Sequence, residues 1–295
     1  MQAIILAGGT GSRLRPMTLG VNKHLLPIFN KPLFYYPLAV AILAEATKII
    51  LVVNPGDVGI FEIHASELSK YNIDLHIITQ DESKGISHGL KVAQPLTVPD
   101  EGVLLLLGDN ITFGKGVGTS LQSFGKYDDG FATCFVTEVR DPENFGIVTL
   151  EDGKPISIAE KPARPNSNLA AIGLYYFPNS AFARVDHLHP SIRGELEVTD
   201  LLTTYLEEGK LNSVTLSRGT AWLDAGTARS MLEASTFVEI IEERQGLLVG
   251  SPHEAALRTG LIDETDFMGL LRAEPNSDYY NKLRRLGPKE KLQTT

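Results

Sequence analysis

The chain has almost no cysteine, no long apolar run and no surplus of positive charge. Among its 295 residues Cys134 is the only cysteine, which excludes intrachain disulfides and any metal cluster held by several thiolates. It lies in the strand-like run F-A-T-C-F-V-T, the setting of a packed core residue rather than of a nucleophile. No apolar stretch approaches the roughly 18 residues of a membrane span, so no membrane partner is expected. Met1 leads straight into the first strand pattern with no targeting peptide ahead of it, and the expectation is a cytoplasmic protein. Acidic residues outnumber basic ones by 36 to 27, a net charge of −9 that argues against the basic stripe of a nucleic-acid surface. An anionic ligand therefore has to be met by cations gathered locally. Two common phosphate signatures are also missing. A G-x-G-x-x-G fingerprint starting at Gly9 would need glycine where Leu14 stands, and no Gly-Lys-Ser/Thr ending marks a P-loop.

What is present is an ordinary globular composition, 43 % hydrophobic and 21 % charged, with length for one α/β domain and an appendage or for two small domains. Short apolar, β-branched runs at Ala3 to Leu6, Lys48 to Val53, Asp74 to Thr79 and Val103 to Leu107 alternate with amphipathic stretches. That alternation predicts βαβ units and a mostly parallel sheet that binds ligands beyond the carboxyl ends of its strands. After Gly130 the strands are Phe131 to Val139, Ile147 to Leu150, Ile156 to Ala159 and Ala171 to Phe177, separated by turn signals, and should add antiparallel or mixed pairing. From Thr227 the pattern turns helical: Ala234, Phe237, Val238 and Ile241 recur at helical spacing, and Gly246 marks a stop. Glu254 to Arg258, Glu264 to Arg272 and Asp278 to Leu286 read as shorter helices.

The most informative segment is A-I-I-L-A-G-G-T-G-S-R-L-R-P, residues 3 to 16. A strand that stops at Gly8-Gly9 lets backbone N–H groups approach an anion with no Cβ in the way. Arg13 and Arg15 follow, and their guanidinium groups supply the charge and forked donors a polyphosphate needs. The fourth strand ends in Gly108-Asp109-Asn110. A carboxylate beside a phosphate repels it unless it holds a cation, and Mg²⁺ takes oxygen ligands of this kind; an aspartate capping a turn fits the same residues. Asp224, in A-W-L-D-A-G-T, is a second candidate, and spacing alone does not bring the two together. Lys161 and Glu160 in I-A-E-K-P, and Arg193-Gly194-Glu195, pair cations with carboxylates in two further loops; solvated surface groups fit them equally well.

Taken in order, the glycine turn, N-K-H-L-L-P-I-F-N-K-P-L-F-Y-Y-P-L, L-G-D-N-I, E-N-F-G-I-V, E-K-P, G-L-Y-Y-F, R-G-E-L-E-V-T-D and A-W-L-D-A-G-T resemble the sugar-1-phosphate nucleotidyltransferases, and within them the glucose-1-phosphate thymidylyltransferases. The resemblance covers nearly the whole chain. It implies a Rossmann-like mixed, mostly parallel sheet flanked by helices with a C-terminal helical extension. The core would span 1–227, with a nucleotide-binding half to about 130 and a sugar-phosphate half from about 131. Residues 228–295 would supply packing and the contacts of a homotetramer. The implied reaction is Mg²⁺-dependent nucleotidyl transfer from a nucleoside triphosphate, dTTP, to glucose 1-phosphate. Arg13, Lys23, Asp109 and Lys161 would be catalytic; Leu6, Gly8, Gly9, Gly11, Gln80, Gly85 and Asp109 would bind nucleotide. Gly146, Glu160, Lys161, Gly173 and Arg193 would bind sugar phosphate, and Asp109 and Asp224 would hold the metal. Gly114, Ser251, Glu254 and Arg258 correspond to a second, regulatory nucleotide site found in relatives; a dimer surface explains the C-terminal ones as well.

The chain departs from the family pattern in two places. His24 replaces a glutamine after Lys23, and its protonation is expected to vary near neutral pH. The base loop reads Q-D-E-S-K-G-I-S-H-G, with Ser83 for a proline, Ser87 for a small apolar residue and a new Lys84. Discrimination of thymine from uracil rests on one methyl group, about 1 to 3 kcal/mol in an apolar pocket, so UTP or another sugar 1-phosphate is the alternative pair. The alternative of another class is a silent nucleotide-sugar-binding regulator; the retained cations and both metal carboxylates speak for the enzyme.

Overall fold

A computed structural model of the chain describes residues 1–114, 117–122, 124 and 130–287. The amino-terminal half contains β1 (Gln2–Leu6), β2 (Pro27–Ile28), β3 (Lys31–Pro32), α1 (Tyr35–Leu43), β4 (Lys48–Val53), α2 (Val58–Ser69), β5 (Leu75–Thr79), α3 (Ile86–Ala93), β6 (Val103–Leu107), β7 (Asn110–Phe113) and α4 (Val117–Leu121). There follow β8 (Ala132–Glu138), β9 (Gly146–Glu151), β10 (Lys154–Glu160), β11 (Leu169–Phe177), α5 (Ala181–Val185), α6 (Val198–Glu207), β12 (Leu211–Thr215) and β13 (Ala221–Asp224). The C-terminal helices are α7 (Ala228–Gln245), α8 (Pro252–Thr259), α9 (Glu264–Leu271) and α10 (Asp278–Arg284). Residues 288–295 of the expected C-terminal segment lie outside the described residues.

The main sheet is mixed and runs β10-β9-β11-β6-β1-β4-β5, with β8 joining β11 to β12. Its amino-terminal part is wholly parallel, as the alternating pattern predicted. Register decides where ligands can bind. Leu6 pairs with Val52 on one side and Leu107 on the other, and Val53 pairs with Thr79, so β1, β4, β5 and β6 end on one edge. The glycine turn, Gln80 and Asp109 leave the sheet together there.

Both faces of these strands are buried, which is why V-L-L-L-L and A-I-I-L show no polar alternation. Ala3, Ile5, Leu51 and Leu106 point into one apolar cluster, whereas Ile4, Ile50, Val52 and Leu105 point into the other. The first cluster also takes Ala255, Phe267, Leu271, Tyr279 and Leu283, so α8, α9 and α10 close the main core. A third cluster beneath the glycine turn unites Leu14, Ile28, Tyr36 and Ile111 with Met231, Ala234 and Val238 of α7. The Thr227 side chain caps α7 by accepting from Ser230 N, and Gly246, at φ 64°, ends it where the sequence placed the stop.

The sequence reading lacked β7, β12, β13 and the two-residue strands β2 and β3. The β7–β13 ladder is the consequential one: it pairs Asp224 with Asn110 and Leu223 with Ile111.

Candidate active site

A cavity of about 340 Å³ opens at the common strand edge. Of the residues singled out from the sequence, Leu6, Gly8, Gly9, Arg13, Lys23, Gln80, Gly85 and Asp109 line it from the amino-terminal half. Gly146, Glu160, Lys161, Gly173, Arg193 and Asp224 line it from the other. Arg15, an exposed side chain, is not among the lining residues, and neither is Gly11. At φ 58° it takes the left-handed conformation that turns the chain, and a Cβ there would stand 2.9 Å from Thr18. A larger hollow of about 880 Å³ adjoins the cavity and shares Arg13, Lys161, Trp222 and Asp224 with it.

The glycine turn is held from outside. Asn22 donates from Nδ2 to Ala7 O at 2.9 Å and to Asp57 at 2.7 Å. Its Oδ1 accepts from His24 N at 2.9 Å and pairs with His24 Nδ1 at 2.8 Å, which places the imidazole proton on Nδ1. His24 is 2 % exposed, and burial together with the Lys23 charge lowers its pKa to about 3. The expected titration near neutral pH is therefore corrected: desolvation disfavours the imidazolium, and His24 is neutral across the physiological range. Just beyond β5, Gln80 donates from Nε2 to Gly8 O at 2.8 Å. A Cβ on Gly8 would come within 2.2 Å of that nitrogen, so glycine is required for the approach.

The two acidic candidates meet. Asp224 faces Asn110 across the ladder, and Ala225 N donates to Asp109 O at 2.9 Å. Burial and the charge of Asp109 both hold the Asp224 carboxyl above its usual range. Asp109 moves the other way: burial alone would raise it, but Lys23, in ion-pair contact with its Oδ2, and Asn110, donating at 2.9 Å, carry it well below the usual range. Two neighbouring carboxylates of which one is disfavoured as an anion fit a cation between them, and an all-oxygen donor pair suits a hard divalent ion. No cluster of three or more His, Cys, Asp or Glu able to hold a metal occurs among the described residues.

On the opposite wall β10 delivers Glu160 and Lys161. Lys161 leaves the strand at φ 42°, in the left-handed region that a lysine adopts only when its surroundings impose it, and its N donates to Phe145 O at 3.0 Å. Its ammonium lies 3.6 Å from Glu160, whose carboxyl is raised by burial. Arg193 donates to Glu197 from Nη2 at 2.7 Å and from Nε at 3.2 Å, and to Glu160 from Nη2 at 3.1 Å.

Several lining residues were not singled out from the sequence. Asn110 Oδ1 accepts from Trp222 Nε1 at 2.5 Å and from Gly173 N at 3.4 Å, and so ties β7 to β13 and β11. The Trp222 ring meets Phe145 edge-on at 5.3 Å. Tyr175, Thr199 and Glu197 also line the wall. Of the residues matched to a second nucleotide site, Ser251 is buried with its hydroxyl paired to Tyr279 at 2.7 Å, and burial raises the Glu254 pKa to about 6. Gly114 packs on Thr220, and Arg258 stands 3.8 Å from Glu254.

A cavity that brings Arg13, Lys23, Lys161 and Arg193 together with the Asp109–Asp224 pair at the edge of a mixed α/β sheet fits a nucleotidyltransferase, and the chain belongs to the nucleotidyl transferase family, whose model matches residues 2–240. Its relatives include the glucose-1-phosphate thymidylyltransferase of Mycolicibacterium smegmatis, 40 % identical over 98 % of this chain and 100 % of that one. The enzyme of the same name from Neisseria meningitidis is 38 % identical over 97 % of this chain and 99 % of its own length. Among solved structures, a Bacillus anthracis protein assigned as a glucose-1-phosphate thymidylyltransferase, in complex with sucrose, superposes with a TM-score of 0.72 at 34 % identity, over 80 % of this chain and 94 % of that one. No helix among the described residues is long and apolar enough to cross a membrane.

Proposed function

We propose that the chain transfers a thymidylyl group from dTTP to glucose 1-phosphate, giving dTDP-glucose and pyrophosphate. The observation that carries the reading is the convergence of Arg13, Lys23 and Lys161 with the Asp109–Asp224 pair in one cavity. The nucleotide enters over the glycine turn, its phosphates against Gly8, Gly9 and Arg13 and its base toward Gln80 and Gly85. The sugar phosphate lies against Gly146, Glu160, Lys161, Gly173 and Arg193. A phosphate oxygen of the sugar phosphate, already an anion at neutral pH, forms the new bond to the α-phosphorus as the bond to pyrophosphate breaks in line. No general base is required, because the attacking oxygen carries no proton that has to be removed. Arg13, Lys23 and Lys161 neutralise the charge that develops, and the walls hold the two phosphates in reacting order.

Asp109 and Asp224 would hold Mg²⁺. When bound, the ion withdraws charge from the phosphate oxygens and orients the leaving group. The cytoplasm is the compartment consistent with a single buried cysteine. The division near residues 131 and 228, and a homotetramer assembled through the C-terminal helices, belong to the same reading.

The test is incubation of the protein with Mg²⁺, dTTP, UTP, CTP, ATP or GTP against glucose, galactose and N-acetylglucosamine 1-phosphates, with products read by mass. dTDP-glucose is expected as the main product. Absence of a nucleotide sugar from every pair overturns the reading, and equal use of UTP moves the base assignment to the Ser83 to Ser87 loop.

A further inference from the structure

One of the places where the two halves of the cavity meet holds Arg193. Leu196 N donates to Lys84 O at 2.7 Å and Ser87 N donates to Leu196 O at 3.2 Å, a main-chain pairing between the base loop and the segment after Arg193. Gly85 makes the approach possible: a Cβ there would lie 2.6 Å from Leu196 O. Ser87, fully buried, adds its hydroxyl, which donates to Glu197 O at 3.0 Å. Glu197 is 5 % exposed. Its Oε1 accepts from Ser191 Oγ at 2.7 Å and from Arg193 Nε at 3.2 Å, while its Oε2 accepts from Arg193 Nη2 at 2.7 Å. This bidentate clamp fixes the guanidinium plane and leaves Nη1 with no partner among the described residues, on a side chain that lines the cavity.

We propose that Glu197 and Ser87 are positioning residues for sugar-phosphate recognition: Glu197 aims the free edge of Arg193 at the phosphate of the acceptor, and Ser87 ties that aim to the loop that holds the base. The inference rests on the proposed reaction for the identity of the acceptor. The carboxylate is not there to supply charge, because a negative group beside an anion site weakens binding; its contribution is orientation. The serine has a role that a small apolar residue at the same position cannot fill, since only a hydroxyl reaches the Glu197 carbonyl.

The test uses the full chain and the variants Glu197→Gln, Ser87→Ala, Arg193→Ala and Glu197→Gln/Arg193→Ala. Affinity for glucose 1-phosphate is measured by calorimetry in the presence of a non-hydrolysable dTTP analogue, alongside steady-state KM and kcat. Glu197→Gln is expected to weaken glucose 1-phosphate roughly 10- to 100-fold and Ser87→Ala about 2- to 10-fold, the ranges for hydrogen bonds with and without a charged partner, with KM for dTTP nearly unchanged. In the Arg193→Ala background the effect of Glu197→Gln should disappear, because the clamp has nothing left to hold. Tighter or unchanged glucose 1-phosphate binding in Glu197→Gln overturns the proposal in favour of a purely electrostatic or structural role. Additive losses in the double variant overturn it as well, and so does a Ser87→Ala protein that loses only melting temperature. Failure of the proposed reaction shows in product formation by the unmodified chain, whereas failure of this inference shows in the binding differences between variants.

Discussion

Asp224 faces Asn110 across the β7–β13 ladder, and that pairing brings its carboxyl close enough to Asp109 to be raised by the neighbouring charge.

Asp109→Asn and Asp224→Asn are each expected to lower turnover by about 10²- to 10³-fold, the scale on which loss of one preorganised charge-stabilising group is felt. Pyrophosphate release with Mg²⁺ measures the loss. The circular dichroism spectrum should be unchanged, because neither substitution alters volume. In Asp109→Asn the Asp224 carboxyl should also return toward its ordinary range.

His24 sets an acid limb on stability. Its folded pKa of about 3 lies below the ordinary 6.5, so the unfolded chain binds the extra proton between those values. The contribution is complete above about pH 6.5 and is lost as pH falls toward 3, at about 1.4 kcal/mol per pH unit. His253, lowered to about 4 by burial, acts in the same direction, while Glu254, raised to about 6 by burial, opposes both between 4.5 and 6. The measurement is therefore a difference: urea unfolding at pH 7.5 and pH 5 should show a shallower acid loss in His24→Gln than in the unmodified chain.

Lys31 and Glu242 form an ion pair at 2.8 Å with side chains 1 % and 0 % exposed. Glu242 also accepts from Asn30, Lys282 and Val249 N. Glu242→Leu strands the buried Lys31 ammonium, while Lys282 keeps Glu243 and Asp278, and should cost about 3 to 5 kcal/mol, whereas Lys31→Met leaves the carboxylate with its other partners and should cost less. Chemical denaturation of the two variants checks the order.

Gly85 sits at φ 100° against the Leu196 backbone. Gly85→Ala should cost roughly 1 to 3 kcal/mol of stability. Because the same contact joins the two loops, KM for the nucleotide and for the sugar phosphate should rise together in steady-state assays.

The fold and much of the site were legible because the strands advertise themselves. Both-face burial leaves Lys48–Val53 and Val103–Leu107 as unbroken apolar runs, and a common register then collects whatever follows them. The meeting of Asp109 with Asp224 was not legible. It depends on N-I-T-F and A-W-L-D, two short half-buried strands far apart in sequence whose pairing leaves no periodic trace. Glu197 was hidden for another reason: in R-G-E-L-E its carboxylate looks like a solvated neighbour of Glu195, and only the tertiary contact with Ser191 and Arg193 takes it out of water.

The cluster that begins with Ala3 ends with Leu283. A chain emerging from the ribosome can cover part of that core early, with Phe34, Leu38 and Phe61, but cannot complete it until Tyr279 and Leu283 of α10 have been made.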